Sequence, residues 1–218
     1  MARAFQDPAP DCAKCPRLVA FRTENARVHP DFHNAPVPSF GPLDAPLLIL
    51  GLAPGLKGAN ATGRPFTGDY AGDLLYATLG KHGFAYGAYE KHRDDGVHLT
   101  GCRIANAVRC VPPQNKPNPD EIKTCRPFLV DELAAMGDLR AVLALGRIAH
   151  ETFLRTLGAT LSAHPFAHAA RHDVIMPDGR AVALFDSYHC SRYNTNTGRL
   201  TTPMFDAVFD GLKGYLTA

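Results

Sequence analysis

The sequence predicts an α/β fold with three layers, in which a four-stranded parallel sheet lies between helices. Short, uniformly apolar segments alternate along the chain with longer segments whose apolar residues have helical spacing. Polar or glycine-rich loops follow the apolar segments, as is typical of the carboxyl ends of parallel strands. With 218 residues, of which 45% are hydrophobic, the chain is long enough to bury one core. We therefore treat 1–218 as a single domain with an N-terminal metal-binding segment.

Four segments have the composition of buried strands. Each is short, apolar almost throughout and closed by a glycine or a polar residue. They are 45–52, 102–110, 140–146 and 181–189. The sequence MPDGR at 176–180 is a turn signal between two extended pieces.

Helices are predicted between these strands and at both ends of the chain. The segments are 16–26, 71–84, 118–136, 147–158 and 201–218. Asn118 or Asp120 is a suitable N-cap for the third of them. Pro127 lies inside the same segment and predicts a kink or a break there.

The net charge of +2 and the isoelectric point of about 8.2 make the chain only mildly basic. Such a balance permits binding of nucleic acid through a local patch but does not by itself predict it. No apolar run is long enough to cross a bilayer, and the N-terminus lacks a signal pattern. We expect a cytoplasmic protein that does not contact membranes.

Four of the six cysteines have neighbours typical of a metal site. Cys12 and Cys15 form a C-x-x-C, while Cys110 and Cys125 flank a proline-rich loop. Four thiolates could hold zinc or a [4Fe–4S] cluster, and the spacing alone does not distinguish them. Buried hydrophobic cysteines with a chance C-x-x-C are the alternative. We interpret Cys102 and Cys190 as core or near-site thiols.

Three unusual loops follow predicted strands and should therefore meet at one edge of the sheet. The first, 51–69, contains five glycines, which allow backbone to approach a ligand closely. Its spacing matches neither a P-loop nor a dinucleotide-binding fingerprint. The second loop begins at Asn106, whose amide suits either a base edge or the capping of its own turn.

The third loop begins at His189 and is rich in hydroxyl, amide and guanidinium donors. Such a run fits a clamp on a phosphate backbone, although a solvated loop has the same composition. Its donors are Ser191, Arg192, Asn194, Asn196, Thr197 and Arg199.

A separate group of histidines has helical spacing: His164, His168 and His172. Pro165 argues against a helix there. We therefore interpret these histidines as solvated or DNA-facing rather than as a metal site.

Three segments resemble the signature segments of the uracil-DNA glycosylase superfamily. They are GLAPGLKGANATGRPFTGD, NAVRCVPPQNKP and HCSRYNTNTGRLT. The chain is most similar to family 5, the type b enzymes of bacteria and archaea, and the resemblance spans nearly the whole chain. The sister family 4 carries an acid after the first glycine, where this chain has Leu52.

The resemblance implies a DNA-repair hydrolase that excises uracil and other deaminated bases and leaves an abasic site. It implies the same sheet of four parallel strands and a [4Fe–4S] cluster on Cys12, Cys15, Cys110 and Cys125. The implied partner is double-stranded DNA, with single-stranded DNA as a further substrate. For a DNA-scanning repair enzyme we expect a monomer located at the nucleoid.

The resemblance also implies a role for individual residues of the site. Phe66 matches the aromatic that stacks on the flipped base, and Asn106 the amide that bonds the base edge. Asp69 matches the acid proposed to handle water, and His189 faces the base carbonyl O2 and the sugar. These three polar residues are the catalytic candidates. Backbone around the base is expected from Gly51, Ala53, Pro54 and Gly55, and DNA contacts from Lys57, Ser191, Arg192, Asn194, Thr197 and Arg199.

Two positions depart from the family pattern, and two alternatives remain open. Lys57 stands where a histidine or a small residue is commoner, and Cys190 replaces the usual proline after His189. A phosphate contact is the favoured role of Lys57, with a Schiff base to the sugar as the alternative. Asp69 also precedes a predicted helix and could act as its cap. The rival to an enzyme is a non-catalytic DNA-binding module of the same fold with zinc on the cysteines.

Overall fold

The computed structural model describes residues 5–218. Its central sheet has five strands in the order β4-β1-β5-β7-β6, and a separate hairpin joins β2 to β3. The strands are β1 (Leu47–Gly51), β2 (Ala85–Tyr86), β3 (His98–Leu99), β4 (Cys102–Asn106), β5 (Ala141–Leu145), β6 (Arg171–Ile175) and β7 (Ala181–Ser187).

The four predicted strands are parallel neighbours, which confirms the predicted architecture. The fifth strand, β6, was not counted among them. It pairs antiparallel with β7 and forms the edge of the sheet on that side. Its direction follows from the short turn at 176–180, where the Met176 N–H donates to the Arg180 carbonyl over 2.8 Å. A turn this tight can join only antiparallel strands.

The five predicted helices are present, and their ends lie within two residues of the predicted ones. Two short helices, α2 and α6, were not predicted. The helices are α1 (Pro16–Val28), α2 (Ala59–Thr62), α3 (Tyr70–His82), α4 (Pro119–Ala135), α5 (Arg147–Leu157), α6 (Arg192–Asn196) and α7 (Thr202–Thr217). The helix α4 continues through Pro127, so the predicted break is absent.

Helices cover both faces of the sheet. Leu75 of α3 and Phe205 of α7 pack with Ile49 on one face. Leu129 of α4 and Phe153 of α5 belong to the apolar cluster on the other face. Because successive strand residues point to opposite faces, a strand buried on both sides needs apolar residues throughout. This requirement explains the continuous apolar runs that predicted the sheet.

A buried group of charges ties the N-terminal segment to the edge strand β4. Glu132 lies between two guanidinium groups, 2.6 Å from Arg103 Nε and 2.5 Å from Arg109 Nη2. Arg109 also binds the Asp7 carboxylate over 3.0 Å. The paired charges offset the cost of burial and hold residues 5–15 beside Cys110 and Cys125.

Among residues 5–218, no helix combines the length and the apolar content that crossing a membrane requires.

Candidate active site

The three unusual loops meet around a cavity of about 650 Å³ at the carboxyl ends of β1, β4 and β7. This is the placement expected of ligand sites in parallel sheets. The candidate residues that line the cavity are Ala53, Gly55, Lys57, Phe66, Asp69, Asn106, His189, Ser191 and Arg192. Gly51 lies directly behind Asn106 and Phe66, which form part of the cavity wall. Asn194, Thr197 and Arg199 do not line the cavity.

Gly51, Phe66 and Asn106 are packed directly against one another. A Cβ at Gly51 would lie 2.4 Å from Asn106 Oδ1 and 2.6 Å from Phe66 Cζ. Asn106 is the register partner of Gly51 in the parallel pair of β1 and β4. Only glycine at position 51 therefore lets the aromatic ring and the amide reach the same wall of the cavity.

The Asn106 amide is buried, with 3% of the residue exposed. Within residues 5–218 its side chain has no hydrogen-bond partner, in contrast to most buried amides. A buried amide that faces a cavity can donate to one ligand atom and accept from another. It is therefore available for a polar ring edge.

Phe66 has a positive φ of 50°, which is rare for a bulky residue and needs support from its surroundings. The Tyr89 hydroxyl gives this support, because it lies 3.4 Å from the Phe66 carbonyl and 3.2 Å from the Gly68 N–H. Tyr89 in turn stacks on Tyr76 with ring centroids 4.5 Å apart. Burial raises the pKa of Tyr89 to about 12, which keeps its hydroxyl protonated.

A buried ion pair holds the same loop from below. Arg64 binds both carboxylate oxygens of Asp95 over 2.6 and 2.7 Å, and its Nε donates to Thr67 Oγ1 over 2.8 Å. Its guanidinium lies 5.1 Å from the Tyr76 ring centre. Burial opposes ionisation of Asp95, but the hydrogen bonds from Arg64 and from two backbone N–H groups lower its pKa to about 2.

His189 faces Phe66 across the cavity, with ring centroids 5.9 Å apart and planes inclined by 29°. Burial lowers the pKa of His189, and the Asp69 charge only partly offsets this effect. The imidazole is therefore neutral at physiological pH. The Asn194 amide donates to the His189 carbonyl over 2.8 Å, so Asn194 positions the histidine from behind.

Cys190 is fully buried and its thiol donates to the Ala71 carbonyl at 3.4 Å. Burial raises the pKa of this thiol, and the Asp69 charge adds to the effect. The neutral thiol joins the His189 loop to the start of α3. The departure from the family pattern at this position thus supplies a packing contact that fixes His189 near Asp69.

Asp69 is the N-cap of α3, and its Oδ1 accepts the Gly72 N–H over 3.0 Å. The capping interpretation is therefore confirmed. The second oxygen, Oδ2, points to the first loop, where a Cβ at Gly58 would lie 2.3 Å from it. Asp69 also lines the cavity, so one oxygen caps the helix while the other remains free for a ligand or a water.

The rim of the cavity carries cations, and an exposed aromatic follows one of them in the chain. Lys57 and Arg192 line the opening, and the Arg192 guanidinium lies 5.4 Å from the Tyr70 ring centre. Next to Arg192, Tyr193 is 72% exposed. An aromatic this exposed beside cations is unusual for a free surface and suits a nucleic-acid face.

The four candidate cysteines line a second cavity, between α1, α4 and the segment after β4. Two of them already receive donors, since Arg22 Nη1 lies 3.1 Å from Cys110 Sγ and the Arg109 N–H lies 3.4 Å from Cys125 Sγ. Cys102 is elsewhere, buried in the core as predicted, and burial raises its pKa to about 12.

A family model of the uracil DNA glycosylase superfamily matches residues 38–213. The chain belongs to this superfamily. The matched range includes the cavity with its three loops and excludes Cys12 and Cys15. The uracil-DNA glycosylase fold thus accounts for the sheet, its flanking helices and the position of the site.

The curated relatives assign the chain to the type-5 branch of the uracil-DNA glycosylases. A type-5 uracil-DNA glycosylase of Thermus thermophilus is 44% identical over 207 residues, which cover 93% of this chain and 92% of that protein. One of Pyrobaculum aerophilum is 40% identical, covering 88% and 83%. A type-4 uracil-DNA glycosylase of the same organism is 32% identical over 68% of this chain and 62% of its own length. These similarities agree with the assignment drawn from Leu52.

Sequence reasoning missed several residues of the glycosylase site. Arg64 lies within the first signature segment, 51–69. Its partner Asp95 lies in an irregular polar loop, whose sequence shows neither periodicity nor a motif. Tyr89 lies in the same region and was not singled out. Tyr193 had a local signal, since it follows Arg192 in the donor-rich loop.

Proposed function

We propose that this uracil-DNA glycosylase hydrolyses the N-glycosidic bond between deoxyribose and uracil, or other deaminated bases, in DNA. The observation that carries the proposal is the convergence of Phe66, Asn106 and His189 on one cavity. A flat ring against Phe66 would present its polar edge to the Asn106 amide. Stacking of a base on an aromatic contributes roughly 1–3 kcal/mol.

The base reaches this cavity only after it leaves the stack. Flipping costs a few kcal/mol and is easiest for a mispaired base. A uracil opposite guanine, the product of cytosine deamination, is therefore an easier target than a paired uracil. Lys57, Ser191 and Arg192 line the cavity, and in this proposal they contact the phosphates that flank the flipped nucleotide. Thr197 and Arg199 lie farther out and contribute, in this proposal, to the same clamp.

Bond cleavage leaves negative charge on the base and positive charge on the sugar. Donors aimed at the base oxygen stabilise this departing charge, as an oxyanion hole does. The neutral His189 and the backbone N–H groups of 51–55 fill this role in the proposal. In this proposal Oδ2 of Asp69, which does not cap the helix, orients the water that attacks the sugar.

A neutral His189 predicts a specific pH dependence. Because burial lowers its pKa, the single-turnover rate should stay level from about pH 6.5, the ordinary pKa of histidine, to pH 8. It should fall only below that range, when the imidazole gains a proton. His189→Gln should reduce the rate by roughly 10²–10³, the usual effect of losing one such donor. A rate that rises as the pH falls through 6.5 would contradict a neutral donor.

The exposed Tyr193 predicts a difference between double- and single-stranded DNA. An aromatic at the rim can enter the gap left by the flipped base, which matters only when a stacked duplex must be opened. Tyr193→Ala should lower kcat/KM on duplex DNA by roughly tenfold, the loss expected for about one stacking contact. Activity on single strands should change much less. Tyr86 is also exposed and does not line the cavity, so Tyr86→Ala is the control. Equal losses on both substrates would argue against insertion of Tyr193 into the duplex.

The cysteine cavity fits a [4Fe–4S] cluster better than one zinc ion. A tetrahedral zinc with Zn–S bonds of about 2.3 Å requires sulfurs roughly 3.8 Å apart. In the part of the chain that the structure describes, the four thiols do not form a group of ligand atoms close enough for one ion. The donors from Arg22 and Arg109 would stabilise the charged sulfurs. When bound, the cluster would serve as a structural cross-link between α1 and α4.

Replacing one thiol tests the cluster assignment. Cys110→Ala should remove most of the iron and inorganic sulfide, together with the brown visible absorbance, and lower the melting temperature. Cys102→Ala is the matched control, because Cys102 is buried but remote from the cavity. Colourless wild-type protein without iron or inorganic sulfide would contradict the cluster.

The main test of function is the release of free uracil from a duplex with a U·G pair. The non-catalytic DNA-binding alternative predicts binding without release, and the relatives' names do not favour it. A panel of hypoxanthine, xanthine and hydroxymethyluracil substrates, in single and double strands, would define the range of bases.

The proposal also includes that the enzyme is a monomer located at the nucleoid. Borohydride trapping would reveal any Schiff base on Lys57, and its absence is the expected result for a monofunctional enzyme.

A further inference from the structure

A second polar cluster lies behind the active site, on the α5 side of the sheet. Asp186 is on β7, three residues before His189, and is fully buried. His150 reaches it from α5 and His172 from β6. Neither the proposed glycosylase chemistry nor the cysteine site uses these three side chains.

The cluster has polar atoms that the protein leaves without partners. His150 Nδ1 lies 2.7 Å from Asp186 Oδ1. His172 Nε2 lies 3.5 Å from Asp186 Oδ2, yet both of these atoms are buried and lack a hydrogen-bond partner within residues 5–218. Buried carboxylate oxygens without a partner are costly and call for an explanation. Two such atoms facing each other over 3.5 Å could both bind the same ligand.

We propose that His150, His172 and Asp186 bind one divalent transition-metal ion of the zinc class. The three ligand atoms lie within 4.8 Å of one another. Tetrahedral bonds of about 2.0–2.1 Å to nitrogen and oxygen place ligand atoms roughly 3.4 Å apart, which matches the distance from His172 to Asp186. Two imidazoles and one carboxylate are a ligand set that such ions prefer, whereas Mg²⁺ and Ca²⁺ prefer oxygen ligands.

The surroundings of His150 fit the role of a ligand. Its other nitrogen, Nε2, lies 2.9 Å from the His164 carbonyl oxygen. A hydrogen bond from one ring nitrogen to a backbone carbonyl is the usual way to orient a metal-binding histidine. It turns Nδ1 toward Asp186, where a bound ion would replace the 2.7 Å hydrogen bond to Oδ1. A surface cavity of about 350 Å³, lined by His150 and His164, opens beside the cluster.

His172 was expected to be solvated or DNA-facing, but its side chain is mostly buried, with 14% exposed. The hairpin of β6 and β7 turns its side chain toward Asp186, although the local sequence has no helix. The ion would join the edge strand β6 to β7 and α5. This bond would stiffen β7, which ends two residues before His189.

Elemental analysis and cobalt substitution test the proposal on the purified, full-length protein. Wild type should hold about one zinc ion per chain beyond its iron, or take up about one equivalent of added Co²⁺. The cobalt spectrum should show tetrahedral d–d bands without a thiolate charge-transfer band, which separates this site from the cysteines. His172→Gln and His150→Gln should lose this ion, whereas His92→Gln, at an exposed histidine, should keep it.

Far-UV circular dichroism checks that each variant is folded. His172 is at the sheet edge and partly exposed, so His172→Gln gives an interpretable result even if His150→Gln fails to fold. An ion-free wild type, unchanged uptake in His172→Gln or a thiolate band would each overturn the proposal. In that case the cluster is a protonated His150 paired with Asp186. No outcome depends on glycosylase activity, so the proposed function stands or falls separately.

Discussion

Asp69→Asn is expected to lower the single-turnover rate of base excision by about 10²–10⁴, the range for a positioned general base. The stability of the protein should hardly change. The reason is that the two carboxylate oxygens have separate tasks, since Oδ1 caps α3 through Gly72 and Oδ2 faces the cavity loop. Asparagine caps a helix about as well as aspartate. Asp69→Asn therefore keeps the helix cap but removes the carboxylate oxygen that would orient the water.

Asp69→Ala serves as the comparison, because it removes both tasks at once. It should lose the same rate factor and also about 1 kcal/mol of stability through loss of the cap. Rates would be measured with enzyme in excess on a U·G duplex, and binding to the same duplex should persist in both variants. If Asp69→Asn excises uracil at the wild-type rate, Asp69 is a cap alone and the water must be oriented by another group.

The location of the site could be predicted from the sequence because of a topological rule. Parallel strands end at the same edge of a sheet, so loops that follow separate strands meet there. Asn106 and His189 are 83 residues apart in the chain yet line one cavity. The apolar runs predicted the strands, and the strands placed the loops. The same rule does not assign roles to individual residues. Asn194 was predicted to contact DNA, and in the structure its amide donates to the His189 carbonyl.

Contacts between irregular loops could not be predicted, because nothing local specifies them. Asp95 binds Arg64 across 31 residues of sequence, and its loop has neither periodicity nor a motif. The edge strand β6 was hidden for a related reason. Its sequence, Arg171 to Ile175, alternates exposed and buried residues, unlike the uniformly apolar strands of the centre.

Cys190 shows how a local departure from a family pattern is resolved only by tertiary contacts. From sequence, a cysteine in place of proline leaves the loop after His189 without the restricted φ of proline. In the structure its thiol is buried against the Ala71 carbonyl, a contact that proline could not make. The loop is thus fixed by packing against α3 instead of by a restricted φ. His189 and Asp69 are held in the same neighbourhood as a result.

Asp95→Asn is expected to lower the free energy of unfolding by about 3–5 kcal/mol, because it leaves the buried Arg64 guanidinium without its counter-charge. Both side chains are almost fully buried, with 4% and 0% of their surface exposed. The loop that carries Phe66 depends on this pair through Thr67, so KM for DNA should rise as well. Equilibrium urea unfolding measures the change, and Asp173→Asn, in an exposed pair with Arg171, should cost less than about 1 kcal/mol.

The same ion pair predicts how the difference between wild type and Asp95→Asn depends on pH. The pKa of Asp95 is lowered to about 2 in the folded chain, from an ordinary value of 3.8. The stabilisation is therefore complete above about pH 4 and is lost as the pH falls toward 2. The difference in free energy of unfolding between the two proteins should be constant at neutral pH and shrink below pH 4.

A double variant, Arg64→Met with Asp95→Leu, should recover most of the stability lost in Asp95→Asn, because apolar residues can replace a buried pair. A gap unchanged down to pH 2, or a double variant as unstable as Asp95→Asn alone, would show that the Asp95 charge is not what stabilises the loop.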